Sequence, residues 1–223
     1  MKRISVLLIA LAMVIGFTAT AHATLLVRGT DTLGNQLIYD DDLDITWYDY
    51  THGRETWQNQ VDWADALTVD FGGTVYDDWR LPSTVDGTYV YGTDGTTTGG
   101  YNITTSEMGH LFYTELGNQG YYDTSGAYVG DGNWGLNNTG DFQNLVNSTY
   151  WSGTEYSANP AIAWSFHFYD GNQYINYKDY NGYALAVRPG DVSAVPEPGT
   201  MLLLGSGLVG LAAFRKRFRR IDR

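Results

Sequence analysis

The 223-residue chain contains no cysteine. That absence excludes disulfide staples, Cys-ligated metal sites and every cysteine nucleophile, so any core must hold through packing alone. Basic residues are scarce in the middle of the chain. Eight of the thirteen Lys and Arg lie at the two ends, Lys2 and Arg3 in front and six between Arg215 and Arg223 behind. The segment 24–194 keeps five basic residues against 23 acidic ones, a net charge of −18. A polyanion without a basic patch is repelled by nucleic acid, which argues against that partner and leaves cations, neutral sugars and basic surfaces open. Catalytic patterns are missing too. His52, His110 and His167 share no metal-ligand spacing, no Gly-x-Ser-x-Gly elbow occurs, and the many carboxylates single out no hydrolytic pair. The expectation is a protein that is not an enzyme, with His110 in a helical pattern beside Leu111 serving packing or capping.

Aromatic residues are abundant: seven Trp, eighteen Tyr and eight Phe. They suffice for the core of one domain of this length. Both ends are addresses and stand apart from it. Lys2 and Arg3, the apolar run Ile4 to Phe17, and Ala21-His22-Ala23 read as a secretory signal peptide over 1–23, cut by signal peptidase so that the exported chain begins at Thr24. At the other end, Val195-Pro196-Glu197-Pro198 breaks regular structure, an apolar run follows from Gly199 to Phe214, and Arg215, Lys216, Arg217, Arg219 and Arg220 form a stop-transfer cluster. Met201 to Phe214 is short against the roughly 20 residues of a spanning helix, and counting from Gly199 with Arg215 snorkelling brings it close to spanning length. The sequence thus predicts a C-terminal transmembrane helix with a cytoplasmic tail.

Between these ends the pattern predicts an α+β domain over 24–194. Leu25 to Tyr39 reads as one or two strands turning at Gly29 and Gly34-Asn35, and Ile45-Thr46-Trp47 as another. Trp57, Val61, Ala64, Leu67 and Phe71 recur at helical spacing, predicting an amphipathic helix over 55–69 stopped by Gly72-Gly73. Thr104 with Glu107 three residues on reads as a capping box opening a second helix, whose stripe is Met108, Leu111, Phe112 and Leu116, with Gly117 as its stop. Residues 85–101 and 118–141 read as two long surface loops rich in Gly, Asn, Thr and Tyr. The last third reads as an antiparallel meander of strands near 150–154, 163–168, 173–177 and 183–188.

Two resemblances rest on these residues. The order Pro-Glu-Pro, apolar run, basic cluster over 195–223 resembles the PEP-CTERM sorting signal, which implies an exosortase as partner, membrane anchoring before sorting, and a place at the cell surface or in the extracellular, biofilm matrix afterwards, whether attached or released. The succession Tyr39-Asp40, Thr46-Trp47, Trp63-Ala64, Gly73, Asp78-Trp79-Arg80-Leu81-Pro82, Glu107-Met108, Tyr150-Trp151-Ser152, Ala163-Trp164 and Val187-Arg188-Pro189 resembles the Lcl C-terminal-like domain. That resemblance implies a C-type-lectin-like or formylglycine-generating-enzyme-like fold: two helices, short antiparallel sheets and long loops. The cysteine chemistry of the formylglycine-generating branch does not carry over to a chain without cysteine.

The motif residues Asp78, Trp79, Arg80, Leu81, Pro82, Trp151, Trp164 and Arg188 are expected to be structural, Arg80 and Arg188 pairing with buried carboxylates through bidentate hydrogen bonds. Tyr89, Tyr91, Tyr101, Tyr121, Tyr122 and Trp134 in the two loops are candidate ligand contacts, because aromatic faces stack on sugar rings. The expected function is an exported, noncatalytic surface or matrix protein that binds carbohydrate or exopolysaccharide. Its alternatives are a passive structural component and a calcium-dependent adhesin. No cofactor is expected; calcium is the one candidate, on Asp40, Asp42 and Asp44. Their Asp-x-Asp-x-Asp run fails the EF-hand pattern at Ile45 and Thr51, where Gly and Glu would be needed, so a solvated acidic turn is the expected reading.

Overall fold

A computed structural model describes residues 25–192. The leader, the sorting motif Val195 to Pro198, the apolar run and the stop-transfer cluster lie outside the described residues. Within them no helix is long and apolar enough to cross a membrane.

The frame is a nine-stranded sheet made from two three-stranded antiparallel meanders, one strand that joins them and two short strands at one edge. The first meander is β1 (Leu25–Thr30), β2 (Gln36–Asp40) and β3 (Ile45–Glu55); the second is β8 (Thr149–Glu155), β9 (Ile162–His167) and β10 (Asn172–Tyr177). The final strand β11 (Gly182–Pro189) does not continue the second meander, as the sequence pattern suggested. It crosses back to lie between β3, antiparallel, and β8, parallel. The reason is visible in its residues. Leu185 and Val187 enter the large core on one face, while Ala184 and Ala186 turn to the other, so β11 is apolar on both sides and needs a central position.

Each face carries one helix. On the alanine face sits α1 (Trp57–Asp65), which packs Trp57 and Ala64 with Leu81, Trp151, Ala163 and Ala184. Small side chains on β11 let it approach closely. The helix stops earlier than its apolar spacing suggests: Val69 and Phe71 leave it to form β4 (Val69–Phe71), paired with β5 (Thr74–Tyr76). Gly72-Gly73 therefore does not end a helix. With φ of 63° and 83°, the two glycines form the tight turn of this hairpin, where both central residues must be left-handed.

On the other face Met108, Leu111, Phe112 and Leu116 are all buried against Ile38, Trp47, Tyr150, Phe166 and Phe168, as the stripe predicted. Their backbone is not one regular helix. A single α-turn, α2 (Glu107–His110), runs into a π-helical turn over Leu111–Glu115, closed by the i→i+5 bond from Leu116 N to Leu111 O at 2.9 Å. Its cap also differs from the expected one. Ser106, not Thr104, caps the helix, its Oγ accepting from Gly109 N at 3.1 Å, and Glu107 is drawn away to Arg80.

The two long loops contain some regular structure. Residues 85–101 contribute β6 (Tyr91–Gly92) and β7 (Gly99–Gly100), which extend the sheet beyond β10. A side chain at Gly100 would strike the Gly92 carbonyl, so only glycine closes this edge. Residues 118–141 are pinned by isolated bridges, Gln119 to Gly135 and Tyr122 to Tyr128.

Candidate functional site

Three constellations lie on this frame. The first is the Asp78–Pro82 segment, which joins distant parts of the chain. Trp79 and Leu81 are buried on one side, and Arg80 forms a backbone bridge to Val187. The Arg80 guanidinium donates to both oxygens of Glu107, at 2.6 and 2.7 Å, so it fastens α2 to the sheet. Asp78 in turn accepts two bonds from Arg188, at 2.7 and 3.0 Å, and that guanidinium holds its carboxyl below the usual carboxylate range. Pro82 O receives Ser152 Oγ and Gly153 N. Bidentate pairing is present at both arginines, but only the partner of Arg80, a glutamate 27 residues on, is largely buried; Asp78, the partner of Arg188, is half-exposed. Trp151 and Trp164 are likewise fully buried, donating to Glu55 O and Asp86 Oδ1.

The second is a run of rings over the loops. Tyr91, Tyr101, Tyr122 and Tyr121 follow one another with centroids 6.3, 5.3 and 4.8 Å apart, and Tyr121 then touches both Tyr128 at 4.7 Å and Trp134 at 5.0 Å. The six candidates do not share one role. Tyr101 is only 5 % exposed and gives its hydroxyl to Asp170, so it is an internal strut. Tyr89 packs on Trp164 and Tyr174 with its hydroxyl oxygen buried. Both turn inward because β6 and β7 fold that loop against the sheet edge. Tyr91 is 52 % exposed, and Tyr121, Tyr122 and Trp134 are half-buried. Tyr128, which the spacing did not single out, is 44 % exposed and belongs with them.

Beside this surface lies a cleft of about 460 Å³, lined by Asn102, Asn118, Gln119, Tyr122, Asp123 and Tyr128 among others. Its rim is built by the loop's own hydrogen bonds. Asn118 Oδ1 accepts from Asn137 N and Asn138 N, and Asp123 Oδ1 from Ser125 N and Ala127 N. The cleft is thus shaped by side chains fixed before any ligand arrives.

The third constellation replaces the acidic turn. Asp40, Asp42 and Asp44 have different surroundings. Asp44, in the left-handed region at φ 50°, is exposed and accepts from the Tyr39 hydroxyl at 2.9 Å. Asp40 is fully buried at the end of β2, accepting from Leu43 N at 3.1 Å and Trp47 Nε1 at 3.3 Å. It faces His110 and Glu115, and one donor atom from each of the three lies within 4.8 Å of the others. His110 Nε2 is 3.1 Å from Glu115 Oε1 and 3.8 Å from Asp42 Oδ2. Burial pushes the Asp40 carboxyl up, and burial followed by the charge of Asp40 pushes up Glu115. Sequence spacing held no sign of this meeting, since Asp40 and His110 are seventy positions apart.

Comparison with known proteins bears on the tail alone. The PEP-CTERM protein-sorting motif matches residues 194–217. No curated protein and no solved structure matches the chain. The matched segment carries Pro196-Glu197-Pro198, the apolar run and the first basic residues, so the chain bears the signal of a secreted protein held transiently at the membrane and processed by an exosortase.

Proposed function

We propose that residues 24–194 are a noncatalytic module of the cell surface or extracellular matrix, presented after sorting at Pro196 to Pro198, and that the Tyr122–Tyr128 cleft binds carbohydrate of an exopolysaccharide. The observation that carries this reading is the cleft itself: preorganised amide and carboxylate groups beside tyrosine faces that remain partly open to solvent. Sugar rings offer that surface apolar C–H faces for stacking and hydroxyls for the amides. The acidic charge of the domain favours a neutral polymer over an anionic one. The Lcl C-terminal-like resemblance, with its C-type-lectin-like fold, fits the central clamp at Asp78 to Pro82. A passive structural role is the second reading, favoured by the extent to which the loop rings pack on one another.

One experiment separates them. In a host that supplies an exosortase and makes matrix, wild type is retained in the matrix and deletion of 195–223 abolishes retention. Tyr122→Ala with Tyr128→Ala is expected to lower retention, and affinity for isolated polysaccharide, by about tenfold if each ring supplies up to about 1 kcal/mol. Unchanged retention in the double variant would leave the passive reading standing.

A further inference from the structure

We infer that Asp40, His110 and Glu115, with Asp42 at the rim, form a binding site for a divalent cation of the zinc type. The argument is independent of the carbohydrate reading. Its donor set is mixed, one imidazole nitrogen and two carboxylates, Asp40 from β2 and the other two from successive turns of one helical segment, converging within 4.8 Å. That composition suits zinc and similar transition cations, whereas calcium sites are built from oxygen alone. Tetrahedral ligands about 2.1 Å from zinc lie roughly 3.4 Å from one another. His110 Nε2 and Glu115 Oε1, at 3.1 Å, already stand near that separation.

Two further features point the same way. The π-helical turn over Leu111–Glu115 places Glu115 on His110. In an α-helix, residues five apart look in different directions, and the i→i+5 widening brings them nearly into line. Charge balance is the other. Each of the five Lys and Arg of the described domain is engaged elsewhere: Arg28 with Asp191, Arg80 with Glu107, Lys178 with Glu155, Arg188 with Asp78, and Arg54 with Tyr180 and the Asn181 carbonyl. Asp40 and Glu115 are thus two buried carboxylates whose neighbouring titratable nitrogen is a histidine. A divalent cation supplies the missing positive charge. The bonds from Leu43 N and Trp47 Nε1 to Asp40 would orient that ligand, and the half-exposed Asp42 marks the entry path.

The test uses the full-length chain in detergent after chelation, titrated with Co²⁺ as a visible probe and then Zn²⁺ as competitor. One Co²⁺ per chain with a visible absorption band, displaced by Zn²⁺, is expected. His110→Gln and Glu115→Gln should each weaken binding by at least about tenfold, and Asp42→Asn by a few-fold. A Zn²⁺-induced shift of the His110 ring nitrogen resonance in the wild-type chain gives the same answer without a variant. Absence of a band up to millimolar Co²⁺, affinity that survives His110→Gln, or a ring resonance that does not move would each overturn the site.

Discussion

Buried carboxylates are treated in two ways within this domain. At the Asp78–Pro82 clamp, Glu107 is met by a guanidinium on both oxygens, and that pair ties a helix to the central strands. At the end of β2, Asp40 and Glu115 are more deeply buried and have only His110 between them. The contrast shows how a domain with five cations for 23 acids over residues 24–194 spends them. Arginines go where segments distant in sequence must be joined, because the planar fork holds a carboxylate in a fixed direction. The remaining buried acids are left to backbone donors, a histidine and, in our proposal, a metal ion.

The largest expected effect sharpens the histidine side of the contrast. His167 stands on β9 with no carboxylate oxygen among the described residues closer than Asp170 Oδ1 at 3.9 Å, and burial lowers its pKa from 6.5 to about 4. A histidine that is kept neutral on folding stabilises the protein fully above pH 6.5, and that contribution is lost as the pH falls toward 4 while the unfolded chain takes up the proton. Denaturant unfolding of wild type and His167→Gln should diverge by about 3 kcal/mol over that window, wild type losing the more; the buried Asp40 and Glu115, raised by burial, act in the opposite direction and are common to both. Next is the clamp. Arg80→Ala leaves Glu107 without its partner, and because the guanidinium is itself partly solvated the cost should be about 2 kcal/mol, with a double-mutant cycle to Glu107→Gln returning a favourable coupling. The smallest effect has the opposite sign. In chelator, Glu115→Gln removes one of two neighbouring buried charges yet keeps an acceptor for His110, so stability should rise by about 1 kcal/mol. A loss there would mean that Glu115 is paired as well as Glu107 is, and the contrast would fail.

Much of the frame was legible in residue order. The stripe Met108, Leu111, Phe112 and Leu116 marked a buried helical face, and the alternation through Trp164 and Phe166 marked a strand. What failed did so for physical reasons. Phe71 fits the spacing of the first helix, yet Val69 and Phe71 also alternate about Asp70, and pairing with β5 across the Gly72-Gly73 turn prevailed. Glu107 fits a capping box, yet a bidentate arginine outcompetes one backbone amide. Of the six loop aromatics, Tyr89 and Tyr101 could not be told from Tyr91 and Tyr122, because loops lack a period and burial there depends on partners far along the chain.

Residue order alone determined the sorting tail, the acidic balance, the absence of thiol chemistry and the two arginines that would act as clamps, since each depends on composition or on neighbours within a few positions. Tertiary structure decided which strand lies at the centre, which tyrosines face solvent and where Asp40 meets His110 and Glu115. Those meetings join residues up to seventy or more positions apart, and only the packing of a two-sided sheet, with a π-turn widened against it, brings them within reach.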